Sequence, residues 1–171
     1  SLSGVDSVSL TMDYSPEQVT LSSLHTEIDN LVFKHENKTY RDKRLVVDTA
    51  GTVDMVKRQA ALNPVHLDSA NGTISFERLT IGDWNNLLET LDSIGQARFD
   101  LATVLSAAAD WYRLPPDISA AAKVDLNWNI DTQSTADHRY QLNTDLSDVN
   151  VARAELQAFN DEQVALRING T

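Results

Sequence analysis

Four histidines are the first residues whose chemistry could define a site, because imidazole is a common metal ligand and general base. They are His25, His35, His66 and His138, and no two of them are separated by two or four residues. Each lies in or beside a different predicted strand, so a shared metal ion would have to be assembled across strands. Because the spacing gives no support for that, we predict surface or turn histidines, with no metal and no cofactor.

Catalytic signatures are absent from the rest of the sequence. There is no cysteine, which excludes disulfides, thiolate metal sites and cysteine nucleophiles. No Gly-x-Ser-x-Gly turn is present, and the six glycines are isolated, so there is no glycine-rich phosphate loop. Acidic residues alternate with apolar ones as on a solvated strand face, and no pair of them stands out for hydrolysis. We therefore predict a protein that is not an enzyme, with a hydrolase of concealed site as the least favoured interpretation.

One basic cluster, Arg41-Asp42-Lys43-Arg44, interrupts an acidic sequence. It could hold a phosphate or a lipid headgroup, but charges that discourage pairing at a strand edge are the favoured interpretation. The three tryptophans, Trp84, Trp111 and Trp128, could mark a carbohydrate platform. Each falls on the apolar side of its own predicted element, which favours packing over sugar binding.

Composition limits the classes of partner. The chain has 171 residues, of which 25 are acidic and 14 are basic, for a formal net charge of −11. Nucleic acids and anionic membrane surfaces are themselves polyanions, so this charge argues against both. With 42% hydrophobic residues, the chain can bury a core as one domain or as one segment of a longer repetitive protein. The strand pattern continues to the last residues, so we expect any membrane anchor to lie outside this segment.

The first region, residues 1–81, is predicted to form a meander of short strands. Apolar and polar residues alternate with a period of two over residues 8–12, as expected for a half-buried strand. The apolar positions change parity near Asp29-Asn30, which calls for a bulge or a turn. Residues 49–52 are interpreted as an interruption between strands, and Asn71-Gly72 is the strongest hairpin signal in the chain.

The pattern changes in residues 82–116, where apolar residues recur at helical spacing in two runs, 84–94 and 101–112. Asp83 is a candidate N-cap for the first run, and Gly95 is a candidate C′ glycine at its end. Prolines that follow the second run would end it. The sequence therefore predicts a helical hairpin that is inserted in the meander as a lid, a plug or part of the core.

The last region, residues 117–171, gives the clearest strand signal. Around Trp128 four apolar residues alternate with four polar ones, and the same period returns in the next two strands. One face of this sheet is therefore predicted to be apolar and the other polar. The residues predicted to lie on the apolar face and to contact a ligand there are Val124, Leu126, Trp128, Ile130, Tyr140, Leu142, Val164, Leu166 and Ile168.

Three segments carry a resemblance to a known family: residues 19–31, 71–81 and 121–130. Their rhythm of short alternating strands resembles the AsmA-like superfamily, which includes TamB and related bridge-like proteins of the Gram-negative envelope. The resemblance implies a long antiparallel sheet bent into an open groove of the β-taco type, apolar inside and polar outside. It also implies a role in carrying phospholipid between the inner and outer membranes. The predicted helical hairpin departs from a plain groove segment.

This resemblance sets the expected organisation and setting. The fold would be mainly β, with residues 1–171 as a single groove segment made of a meander (1–81), the helical hairpin (82–116) and a second meander (117–171). The partners would be phospholipid or another acyl lipid and other envelope proteins, and the location would be the periplasm, within an inner-membrane-anchored protein. A closed β-sandwich or barrel that binds glycan or mediates adhesion is the alternative, and the apolar face would then be core.

Overall fold

The computed structural model describes residues 2–36, 38–109, 111, 115, 117–132, 139–153 and 156–170. They form one nine-stranded antiparallel sheet in which the spatial order of the strands is their order in the chain. The mainly β meander predicted from the period of two is confirmed. The strands are β1 (Leu2–Tyr14), β2 (Gln18–His35), β3 (Lys38–Asp54), β4 (Gln59–Ser69), β5 (Gly72–Ile81), β6 (Leu91–Asp100), β7 (Ile118–Asp131), β8 (Arg139–Arg153) and β9 (Leu156–Gly170).

The sheet is open, with β1 and β9 as its two edges. A closed barrel would instead pair its first and last strands. The closed sandwich or barrel considered as the alternative fold therefore does not describe this sheet. The connection between β5 and β6 contains two short helical turns, and the connection between β6 and β7 contains a longer helix.

Strand β3 is continuous through residues 49–52, so the predicted interruption there is wrong. The pairing of β3 with β4 shifts register between Thr49 and Gly51, where β4 has one extra residue between Leu62 and Val65, which marks a bulge in β4. Gly51 has a φ of 148°, and a Cβ atom there would collide with the backbone of Ala61. Glycine is the residue that tolerates both conditions, so β3 continues past the bulge of its partner strand instead of ending.

The parity change predicted near Asn30 is confirmed as a bulge in β2. Pairing between β1 and β2 shifts register between Ser3 and Val5, opposite this position. Asn30 itself has a φ of 54°, a left-handed conformation that asparagine adopts more readily than most residues. The hairpin predicted at Asn71-Gly72 is also confirmed, since it joins β4 to β5.

The helical hairpin predicted for residues 82–116 is wrong in its first half. Helical structure is limited there to a 3₁₀ turn (Trp84–Asn86) and one α-helical turn, α1 (Leu87–Thr90). The next residue, Leu91, begins β6, which pairs with β5 on one side and β7 on the other. Pairing on both sides therefore outweighs the helical spacing of the apolar residues. Asp83 does cap the short helical turn, since its carboxylate accepts a hydrogen bond from the Asn85 backbone N–H at 2.9 Å.

The second half of that prediction is confirmed in a shorter form. Helix α2 (Leu101–Ala107) links β6 to β7, and it ends before Tyr112, which lies outside the described residues. Asp100 caps the helix by accepting a hydrogen bond from the Thr103 backbone N–H at 2.8 Å. This hydrogen bond lowers the pKa of the Asp100 carboxyl below its ordinary value.

Few apolar side chains are fully buried, because a single sheet has no second layer against which to pack. Most residues on the apolar side of the strands are half-buried. Cross-strand contact therefore supplies much of the packing. The fully buried apolar residues in the described part of the chain are Leu31, Val46, Ala97, Ala122, Val124 and Val149.

Candidate functional site on the apolar face

The nine residues predicted to line an apolar surface lie on one face of the sheet. Directly paired residues of an antiparallel sheet point to the same side. Trp128 pairs with Leu142, and Leu142 pairs with Ile168. In the other rows, Leu126 and Leu166 flank Thr144, Val124 and Val164 flank Leu146, and Ile130 pairs with Tyr140.

Exposure on this face rises toward the β9 edge. Val124, on β7, is buried with 8% of its surface accessible. Leu166, on the edge strand β9, is 52% accessible. The other predicted residues fall in two groups: Leu126, Trp128, Ile130, Leu142 and Val164 are half-buried, whereas Tyr140 and Ile168 are exposed.

The same rows continue across the rest of the sheet, which the sequence analysis missed because residue spacing does not give the register between strands. We call this side of the sheet, with the rows that pass through Leu126 and Trp128, the apolar face. From Trp128 the row runs through Gly95, Phe76, Val65, Thr49 and Leu24 to Leu10, and from Leu126 it runs through Ala97, Ile74, Leu67, Val47 and Thr26 to Val8.

The Trp128 side chain is held in place on this face by residues of β5 and β6. Its indole meets the ring of Phe76 edge to face, with centroids 5.2 Å apart, and its Nε1–H donates a hydrogen bond to Ser93 Oγ at 3.2 Å. Gly95 lies between them in the row, and a Cβ atom there would overlap the indole. Gly95 is therefore a contact residue of Trp128 and not the helix terminus that its position predicted.

Helix α2 covers part of the apolar face at the end that carries the β4–β5 turn. Val104 on the helix faces a cavity of about 420 Å³. The strands contribute Leu45, Leu67, Ile74 and Phe99 to the walls of this cavity. Helix α2 and the strands therefore enclose this cavity together.

Trp111, just after α2, packs near the β2–β3 turn. Its ring stacks on Phe33 and His35, with centroids 5.9 and 6.2 Å apart, and Lys38 Nζ lies 5.2 Å from the ring centroid. The buried indole N–H has no hydrogen-bond partner among the described residues. This packing joins the end of the helical segment to the tip of β2 and β3.

A polar network borders the cavity. Asp42 is buried and accepts hydrogen bonds from Asn71 Nδ2 at 2.7 Å and Tyr40 Oη at 3.1 Å. It also accepts from the backbone N–H groups of Arg44 and Ala70, at 3.1 and 3.2 Å. Burial raises the pKa of the Tyr40 phenol, and the Asp42 carboxylate raises it further. The network holds the β4–β5 turn against β3.

The three cations of the basic cluster differ in whether they have an ion-pair partner. Arg44 Nε donates to Glu27 Oε1 at 2.6 Å, and that hydrogen bond raises the pKa of Arg44. Neither Arg41 nor Lys43 has an ion-pair partner within the described ranges. Since pairing of β3 with β4 starts at Leu45, both cations lie on a stretch of β3 that pairs only with β2. This placement is compatible with both roles considered for the cluster.

On the opposite, polar face, two histidines flank one aspartate. His25 Nδ1 lies 2.6 Å from Asp48 Oδ1, and His66 pairs with Asp48 from the other side. Residue spacing does not reveal this arrangement, since the three residues come from three strands. No group of three or more histidine, cysteine or acidic residues is placed to hold a metal ion in the described part of the chain. His138 lies outside the described residues.

Acidic residues of the polar face are engaged in cross-strand contacts. Asp125 and Asp145 are directly paired, and Arg98 Nε donates to Asp125 Oδ2 at 2.8 Å. Asp92, which is almost fully buried, accepts from Arg78 Nη2 at 2.9 Å. Such pairs reduce repulsion between neighbouring carboxylates on adjacent strands.

Within the described ranges, no helix is long and apolar enough to cross a bilayer. Comparison of the chain with protein families, curated proteins and solved structures finds no match.

Proposed function

We propose that this chain is a non-enzymatic segment of a lipid-transfer protein whose apolar face carries the acyl chains of phospholipid or another acyl lipid. The observation that supports this most directly is the extent of that face. Its apolar rows cross all nine strands, and most of their side chains remain half-buried or exposed. A surface of this kind suits an elongated apolar ligand that is bound without a specific pocket.

The length of the apolar face suits an elongated ligand. Neighbouring strands lie about 4.8 Å apart, so nine strands present a track about 40 Å long across the sheet. The track runs perpendicular to the strands, along the row that contains Trp128 and Phe76. A methylene that is fully buried contributes about 0.8 kcal/mol, and one that is covered on one side contributes part of that. A partial contact therefore holds an acyl chain while the headgroup stays in water.

We propose further that the sheet bends into a groove around this track. Register shifts in six ladders support the proposal, because bulges increase local twist and bend the strands. The setting proposed with it is the periplasm, within an inner-membrane-anchored protein that contacts other envelope proteins. The resemblance to the AsmA-like superfamily is the support for that setting.

Photo-crosslinking in cells tests the proposal. Crosslinkers that replace Leu126, Leu142 or Leu166, on the apolar face, are expected to capture phospholipid. Crosslinkers at Asn127, Gln141 or Arg167 are the controls, because each is the next or preceding residue in the same strand and points to the polar face. The pair 166 and 167 is the sharpest comparison, since both positions are exposed on the edge strand β9. Equal capture by the two faces would contradict the proposal.

A further inference from the structure

We propose that the cleft between helix α2 and the tip of β3 binds the oxyanion of an acyl lipid, with Arg41 and Lys43 as its ligands. The ligand is then an anionic amphiphile whose headgroup is a phosphate or a carboxylate. This inference rests on the proposed function, since it concerns the headgroup of the lipid whose chain occupies the apolar face.

The cleft and the apolar cavity are adjacent. The cleft has a volume of about 710 Å³, and Arg41 and Lys43 line it opposite Thr103 and Ser106 of α2. The cavity of about 420 Å³ under Val104 shares Leu31, Asp42 and Asn71 with the cleft as lining residues. A ligand can therefore place a charged group in the cleft and its chain in the cavity.

The charges at the cleft favour an anion. Arg41 and Lys43 are exposed and have no ion-pair partner in the part of the chain that the structure describes. The Asp42 carboxylate lies between them in sequence, but its two oxygens already accept four hydrogen bonds. The three residues leave one net positive charge in a chain whose formal charge is −11. An oxyanion would provide the missing partner for both cations.

The chemistry of the two side chains suits this ligand. A guanidinium can donate two parallel hydrogen bonds to a phosphate or carboxylate, and an ammonium adds a mobile point charge. The walls of the neighbouring cavity are mainly apolar side chains, among them Leu45, Leu67 and Phe99.

Binding measurements with defined probes test the inference. The probes are palmitate, its uncharged methyl ester, dodecyl phosphate and inorganic phosphate, each titrated into the full chain at low and high salt. The variant is Arg41→Gln combined with Lys43→Gln. The control is Lys57→Gln combined with Arg58→Gln, which removes the same charge from the exposed turn at the other end of β3. Circular dichroism checks that both variants keep the β fold.

We expect the Arg41/Lys43 variant to bind palmitate and dodecyl phosphate about tenfold more weakly, a loss that corresponds to a modest ion-pair contribution. Binding of the methyl ester should not change, and the control variant should bind all probes as the wild type does. High salt should reduce the difference between acid and ester. A preference for palmitate over dodecyl phosphate would identify the oxyanion as a fatty-acid carboxylate, and the reverse would identify a phosphate headgroup.

Three results would overturn the inference. If the wild type and the variant bind acid and ester equally, the headgroup site is ruled out, but the proposed function still stands. If inorganic phosphate binds but no acyl probe binds, the cleft is an oxyanion site unrelated to lipid. Failure of every acyl probe to bind would overturn both the headgroup site and the proposed function.

Discussion

Trp128 connects three strands through one side chain. Its indole contacts Phe76 on β5 and donates to Ser93 on β6, while its ring occupies the space left by Gly95. The sequence predicted its face, because four apolar residues alternate with four polar ones around it. It could not predict these partners, because they lie 33 to 52 positions away and depend on the register of two other strands.

The Trp128→Ala variant tests whether this face is core or ligand surface. We expect the free energy of unfolding to fall by about 2–3 kcal/mol, near the lower end of the cost for a large aromatic residue, because the ring is only half-buried. Added phospholipid should stabilise the wild type more than the variant. Urea unfolding with and without phospholipid vesicles measures both effects. A loss near 5 kcal/mol that does not respond to lipid would indicate a conventional core.

Among the elements, β7, β8 and β9 were predictable and β6 was not. In β7 large apolar residues alternate strictly with polar ones, so the period of two is unmistakable. In β6 the residues that face the apolar side include Ser93, Gly95 and Ala97, whose small side chains give a weak hydrophobic signal. The large apolar residues Leu91 and Ile94 instead fit a helical spacing that continues from α1. Pairing with β5 and β7 decides the outcome, and single-sequence periodicity does not contain that information.

Helix α2 provides a prediction about pH. The pKa of Asp100 is lowered in the folded protein by the hydrogen bond from the Thr103 N–H. A lowered folded-state pKa contributes stability that is present above the ordinary aspartate pKa of about 3.9. This contribution is lost as the pH falls through that value and then through the lower pKa of the folded protein. Asp100→Asn keeps a residue that can cap the helix but removes the titrating group. The wild type should therefore lose more stability than this variant between pH 6 and pH 3.

Unfolding by urea at several pH values measures that difference. Asp100→Ala serves as the control, because it removes both the charge and the cap and should be less stable than Asp100→Asn at every pH. Parallel pH profiles for the wild type and Asp100→Asn would contradict the assigned cause of the pKa shift.

At the scale of the whole molecule, the edge strand β1 is poorly protected against pairing with another chain. It contains no lysine, arginine or proline, and its only charged residues are Asp6 and Asp13, whereas lysine and proline are common blocks to edge pairing. Its apolar residues are exposed, as for Val8, which is 59% accessible. We expect the isolated chain to self-associate through this edge at high concentration, with β1 pairing against a second copy.

The Ser9→Lys variant should reduce this association by placing a charge on the β1 edge. Ser75→Lys is the matched control, because Ser75 lies in the same row on the polar face but in the interior strand β5. Sedimentation velocity over a range of concentrations measures the average mass. A wild type that stays monomeric throughout, or equal effects of the two substitutions, would contradict edge pairing.

The order of the strands has a consequence for how the molecule comes apart. Each strand pairs only with the strands before and after it in the chain. Each strand is therefore stabilised mainly by its nearest neighbours, as each repeat is in repeat proteins. A linear array of this kind need not unfold all at once. It can lose β1 or β9 while the ladders between β4 and β7 persist, and amide hydrogens would then exchange in a gradient from the edges to the centre. The same property would let ladders open and close locally under a ligand that moves along the apolar face, without loss of the rest of the sheet.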